Sequence, residues 1–192
     1  LYGWATARLK EFRAYCAEND IFLIEDGAQS FDVTVGGESV YKEARLATLS
    51  FYPAKVIGAC GDAGMVFCES DELAHTVRVL TNHGRTTHYG HGYAGWNSRI
   101  GGFESAYLNL ALDYIDERIA SRRAAAERYR KTYDEWDLCY VGPPAGQQEN
   151  AYLTVTIFEP EKRPAIQEHL KENGIGYGVI YPGTMSSQPA AE

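Results

Sequence analysis

The sequence predicts an α/β fold, an open sheet flanked by helices and followed by a smaller α+β unit. Three observations predict it. Apolar runs without alternation at residues 21–24, 46–52 and 65–68 have the composition of strands covered on both faces, as in a mostly parallel sheet. Helical stripes stand around these runs, giving the alternation of an open α/β sheet. Beyond Gly142, apolar and polar residues alternate as in a strand with one wet face.

Taken in order, Leu9, Phe12 and Cys16 recur at i, i+3 and i+7, so a helix is expected over residues 5–18, broken at Asn19 and Asp20. The first strand, Ile21, Phe22, Leu23 and Ile24, ends on Glu25 and Asp26, and the second, over 46–52, carries Ser50 near its carboxyl end. After the third, over 65–68, Ser70 caps a helix with Asp71 and Glu72 in its first turn and Leu73, Val77 and Leu80 as its stripe. Residues 103–136 contain no glycine or proline, and Leu108, Leu112, Ile115 and Ile119 keep helical spacing. A long, bent helix is expected there, its Arg- and Ala-rich second half leading into another unit. The loop around Pro143 and Pro144 precedes a strand in which Leu153, Val155 and Ile157 alternate with Thr154 and Thr156. A helix over 162–173 then stops at Gly174, and a strand is expected over 175–181. This places one domain at 1–115 and a smaller α+β domain at 116–192, with no internal repeat.

Composition narrows the function. Hydrophobic residues make up 45% and charged residues 23%, as in a globular protein, and no apolar run reaches the roughly 20 residues of a membrane span. A formal charge of −8 argues against a generic nucleic-acid binder and favours small-molecule chemistry. Cys16, Cys60, Cys68 and Cys139 form no CxxC pair, so buried thiols in a reducing cytoplasm are expected. The chain starts at Leu1 without a signal-like stretch and stops at Glu192 just after a predicted strand, which reads as a piece of a longer protein.

The candidate chemistry lies at the ends of the strands, where ligands bind in open α/β sheets. Asp26, in Glu25-Asp26-Gly27-Ala28-Gln29, could hold a protonated ring nitrogen, because a carboxylate favours the charged form of its partner; alone, it would cap the next turn. In Ser50-Phe51-Tyr52-Pro53-Ala54-Lys55 a hydroxyl and an amine share one turn. An amine partly withdrawn from water is a nucleophile for a carbonyl, whereas an isolated lysine after proline is an ordinary solvated side chain. Gly58, Gly61 and Gly64 let the backbone turn tightly against a ligand or another strand. His83, His88 and His91 share a loop but match no metal-ligand spacing, and no metal is expected. Asn97 and Arg99 could meet an anion before the long helix, or Asn97 or Ser98 could simply cap it.

In this order, Ile24-Glu25-Asp26-Gly27-Ala28-Gln29, Ser50 to Lys55 with Val56-Ile57-Gly58-Ala59, Gly61-Asp62-Ala63-Gly64, His83-Gly84, Gly95-Trp96-Asn97-Ser98-Arg99 and Gly178-Val179-Ile180-Tyr181-Pro182 resemble the DegT/DnrJ/EryC1/StrS family of nucleotide-sugar aminotransferases. The resemblance implies part of a fold-type I large domain followed by an incomplete small domain, with pyridoxal 5′-phosphate as cofactor. It implies that Lys55 forms the Schiff base and shuttles the proton, that Asp26 keeps the pyridine nitrogen protonated, that Gln29 lies against the ring and that Ser50 donates to the phosphate. Asn97 would reach the phosphate of a neighbouring subunit's cofactor, implying a homodimer with shared sites. The implied reaction moves an amino group from glutamate or glutamine to a keto carbon of a nucleotide-linked sugar, in the cytoplasm, with neither nucleic acid nor membrane as partner. Asp32 stands where many relatives have glycine, Tyr41 replaces a common glycine, and Glu104-Ser105-Ala106 replaces Gln-Ala-Ala.

Two alternatives stay open from the sequence. One is a related sugar dehydratase, which has histidine at the lysine position and is disfavoured by Lys55. The other is a non-catalytic sugar-nucleotide binding or assembly module.

Overall fold

The computed structural model describes residues 1–191. The chain divides into two compact units, Leu1–Val155 and Thr156–Glu192. This division falls later than the sequence boundary at 115 and 116, because the long helix is fastened to the first unit: Arg118 donates to Val56 O, and Arg123 donates to Glu149 O and to Asp32.

Helix α1, Leu9–Glu18, starts four residues later than the periodicity predicts and ends where Asp20 takes a positive φ of 53°. Its successor corrects an expectation. Residues 21–24 form no strand; β1 is only Glu25–Asp26, and Ile21, Phe22 and Ile24 are about half exposed. The reason is pairing. β1 lies at the edge of its sheet, with β4 (Leu46–Ser50) on one side and no strand on the other among the described residues, so the apolar run has no ladder to join.

β2 (Thr34–Val35) and β3 (Glu38–Ser39) form a hairpin through Gly36 and Gly37, whose φ values of 58° and 83° meet the two-residue turn's need for left-handed backbone. The sheet that carries the site has the order β1-β4-β5, with β4 at Leu46–Ser50 and β5 at Gly64–Cys68. β1 and β4 are parallel, as expected, whereas β5 returns antiparallel to β4, so the sheet is mixed. Gly64 is needed in that return, since a Cβ there would lie 2.9 Å from Leu49 O.

Helix α2, Asp71–Thr81, follows the sequence reading: Ser70 Oγ accepts from Leu73 N at 3.3 Å. The long helix is two, α3 at Gly102–Leu112 and α4 at Ile115–Glu135, broken at Asp113 and Tyr114. Leu108 joins Leu49, Phe51, Ile57 and Ala59 in the buried core, with Phe31, Tyr41, Phe67 and Ile115 packed against it. Strands β6 (Tyr140–Val141), β7 (Gln147–Gln148) and β8 (Val155–Thr156) are two residues each, so the strand expected over 153–157 is reduced to its centre.

In the second unit, α5 (Arg163–Glu172) ends at Gly174 with a φ of 68°, as predicted. The strand expected over 175–181 is absent. Gly176 and Gly178 interrupt the run and weaken extended structure, and Ile175, Tyr177 and Tyr181 stand substantially exposed. No helix among the described residues is long and apolar enough to cross a membrane.

Candidate functional site

Parallel pairing of β1 with β4 sets Asp26 beside Thr48 and brings both carboxyl ends to one edge of the sheet. Ser50 lies two residues further along β4, roughly 7 Å at strand rise. Asp26 is exposed there, and its Oδ1 accepts from Ala28 N at 3.0 Å and from Thr48 Oγ1 at 3.5 Å. The turn-capping role is therefore real. It occupies one carboxylate oxygen, and Oδ2 takes no hydrogen bond from the described residues.

The segment after β4 is a tight turn. Ser50 Oγ accepts from Tyr52 N at 3.2 Å, Lys55 N donates to Tyr52 O at 2.8 Å, and Ala59 N donates to Phe51 O at 2.7 Å. Gly58 is required where the loop closes, because a Cβ would lie 2.4 Å from Pro53 O. Val56, Ile57 and Ala59 are buried beneath the turn, leaving Lys55 half-buried at its rim. Its Nζ sits 4.9 Å from the centroid of the Tyr152 ring, within cation–π range. The serine's own proton stays available for a further acceptor.

Gln29 is placed one turn beyond Asp26, but its Oε1 accepts from Tyr2 N at 2.5 Å. That leaves its amide NH2 as the group able to meet a ligand. Asn97 bridges to Asn82, and its Oδ1 accepts from Arg99 Nη2 at 3.0 Å. No hydrogen bond, ion pair or ring contact joins Asn97 to Asp26, Ser50 or Lys55 among the described residues. It does not cap α3 either, whose N-cap is Gly101. His91 Nδ1 lies 2.9 Å from His83 O, and the described residues contain no group of metal-ligating side chains.

Several residues of this region escape a reading of the sequence. Asn150, fully buried, donates through Nδ2 to Gln29 O at 3.0 Å and Phe31 O at 2.7 Å, while its Oδ1 accepts from Tyr152 N at 3.0 Å. One amide thus fixes both the Gln29 loop and the tyrosine under Lys55. Arg122 donates to Tyr152 O at 3.4 Å, and burial, with the nearby Arg118, holds its acidity above that of a free guanidinium. Tyr41 donates to Gly27 O at 2.7 Å and stacks on Phe67. Only Tyr41 leaves a trace in the sequence, as a bulky residue where a glycine is common.

The chain is similar to several known proteins. A pleiotropic regulatory protein of Geobacillus stearothermophilus is 34% identical over 191 residues, covering 98% of this chain and 51% of that protein. The UDP-2-acetamido-2-deoxy-3-oxo-D-glucuronate aminotransferase of Pseudomonas aeruginosa is 32% identical over 192 residues, covering 99% of this chain and 52% of that protein. Among solved structures, S. venezuelae DesV in complex with a ketimine intermediate superposes with a TM-score of 0.91 at 28% identity, over 99% of this chain and 51% of that one. A DegT DnrJ EryC1 StrS aminotransferase from Brucella abortus gives a TM-score of 0.90 at 27% identity, over 99% of this chain and 50% of that one. The chain spans about half the length of the curated relatives it matches. The family model matches residues 1–192 throughout, and the chain belongs to the DegT/DnrJ/EryC1/StrS aminotransferase family.

Proposed function

We propose that this chain carries the core of a pyridoxal-phosphate site in an enzyme that moves an amino group from glutamate or glutamine to a keto carbon of a nucleotide-linked sugar. One observation carries the reading: Lys55 is held on the turn after β4, at the sheet edge to which parallel pairing also brings Asp26. Relatives named as aminotransferases of UDP- and dTDP-linked sugars support the substrate class.

The donor set fits the cofactor. Asp26 has one carboxylate oxygen uncommitted, Ser50 keeps a proton to donate, and Lys55 offers a primary amine unencumbered by any carboxylate among the described residues. Pyridoxal phosphate, when bound, supplies an aldehyde that links to an amine and a ring that accepts the electron pair left when a C–H proton departs. Asp26 Oδ2 would hold the ring nitrogen, because a carboxylate favours the protonated form of its partner. Ser50 Oγ would donate to the phosphate. Lys55 would hold the cofactor through its amine and would supply the base that moves a proton at the reacting carbon. Gln29 would orient the ring through its amide NH2.

Asn97, which makes no hydrogen bond to this cluster among the described residues, serves the phosphate site of a second copy, and the enzyme works as a cytoplasmic homodimer with shared sites. Its Oδ1 is taken by Arg99, which leaves Nδ2 to donate.

The test uses the whole protein. After incubation with pyridoxal phosphate and reduction with borohydride, peptide mapping should find the label on Lys55 and none in Lys55→Arg. A label on another lysine would overturn the assignment. Transfer of labelled nitrogen from glutamate or glutamine to a nucleotide-linked keto sugar tests the reaction itself.

A further inference from the structure

Tyr41 reaches the carboxyl end of β1 through both its hydroxyl and its ring. Its hydroxyl donates to Gly27 O at 2.7 Å, on the residue directly after Asp26. Its ring stacks on Phe67 of β5, with centroids 4.4 Å apart and an interplanar angle of 23°. The approach is so close that a Cβ on Gly27 would lie 2.6 Å from Tyr41 Cε1 and 2.7 Å from Thr48 O. Gly27 is thus held between the phenol and the backbone of β4.

The residue before Asp26 is fastened to the same segment from the other side. Arg13 grips Glu25 with both arms, Nε to Oε1 and Nη2 to Oε2, each at 2.8 Å. The same guanidinium donates to Val40 O at 2.6 Å and Lys42 O at 2.8 Å, the carbonyls flanking Tyr41. Both side chains of the pair are largely buried, at 16% and 14% exposure, so this clamp is not a surface ion pair free to rearrange. Asp26 is therefore bracketed. Glu25 is tied to residues 40 and 42 through Arg13, and Gly27 to residue 41 through its phenol. Burial, and secondly the Asp26 charge, raise the pKa of the phenol well above its ordinary 10.0, which keeps the hydroxyl a donor.

Resting on the reading of Asp26 given above, we propose that Tyr41 is a positioning residue for Asp26. With its hydroxyl on Gly27 O and its ring on Phe67, it fixes the Asp26–Gly27 peptide so that Oδ1 stays on Ala28 and Thr48 and Oδ2 is presented to the ring nitrogen. A β1 of two residues, paired on one side, cannot hold that geometry alone.

The test compares the whole protein with Tyr41→Phe, which keeps the stack and loses the hydrogen bond, and Phe67→Leu, which keeps the phenol and loses the stack. Asp26→Asn serves as reference. Without cofactor, hydrogen exchange of the Ala28 amide should quicken about fivefold in Tyr41→Phe, the scale of one hydrogen bond, and by less in Phe67→Leu. With cofactor bound, the absorbance titration of the lysine-linked form should move in Tyr41→Phe in the same direction as in Asp26→Asn, and kcat should fall about fivefold with KM nearly constant. An unchanged Ala28 exchange rate together with an unchanged titration midpoint, even if the melting temperature drops, would overturn the proposal by reducing Tyr41 to a packing residue. Should the parent protein take no cofactor onto Lys55, the reading of the site fails on that arm alone. The exchange rate then still decides whether Tyr41 holds the Asp26 turn.

Discussion

Lys55 Nζ rests 4.9 Å from the centroid of the Tyr152 ring, and the Tyr152 backbone is in turn pinned by Asn150 and Arg122. An ammonium over an aromatic face gains about 0.5–1 kcal/mol at a partly exposed site. That attraction belongs to the charged ammonium and is lost when the nitrogen gives up its proton, as it must before it can attack a carbonyl. Tyr152→Leu should therefore favour cofactor linkage by about two- to fivefold, measured by absorbance titration of the whole protein with pyridoxal phosphate.

Asn150 has no exposed surface and satisfies two carbonyls and one amide with a single side chain. Asn150→Ala strands those groups in the interior, at a cost of about 2–4 kcal/mol. The urea midpoint should fall accordingly with an unchanged slope. Asn150→Asp should not rescue it, because it replaces the NH2 that serves Gln29 O and Phe31 O with an acceptor.

Glu149 is nearly buried, with 9% of its side chain exposed, and its carboxylate is met by Arg130. Removing the cation alone leaves a buried charge unpaired. Arg130→Met should cost about 3 kcal/mol, and Arg130→Met with Glu149→Gln should recover part of that loss in a double-mutant cycle of urea unfolding.

Tyr41 titrates well above the ordinary tyrosine value of 10.0, first because it is buried and then because Asp26 lies near. Its folded form binds the proton more tightly than its unfolded form does. The stability it contributes is complete below about pH 10 and is lost as pH rises from there toward the folded value, by up to about 1.4 kcal/mol per pH unit. Urea unfolding at pH values above 10 should show a flatter decline in Tyr41→Phe than in the parent protein.

What the sequence determined by itself is what short-range chemistry decides. Ser70 capping α2, the stripe of Leu73, Val77 and Leu80, and Gly174 ending α5 each depend on residues within a turn or two, and each stands in the structure as read. The position of Ser50 at a strand end was legible for a similar reason, since an apolar run followed by polar turn residues marks where a strand stops, whereas Asp26 ends a two-residue strand that begins only after the apolar run.

Only the tertiary structure decided which apolar runs become strands and what surrounds the amine. Residues 21–24 are the more apolar of the two segments 21–24 and 46–50, yet only the second has neighbours on both sides to take its backbone hydrogen bonds. Extended backbone is stabilised by a partner that local sequence does not name. The same holds for Lys55 over Tyr152, Asn150 under Gln29 and Tyr41 against Gly27, contacts between segments far apart in the chain. No periodicity or spacing encodes them, because they arise only when the sheet brings those segments to one edge.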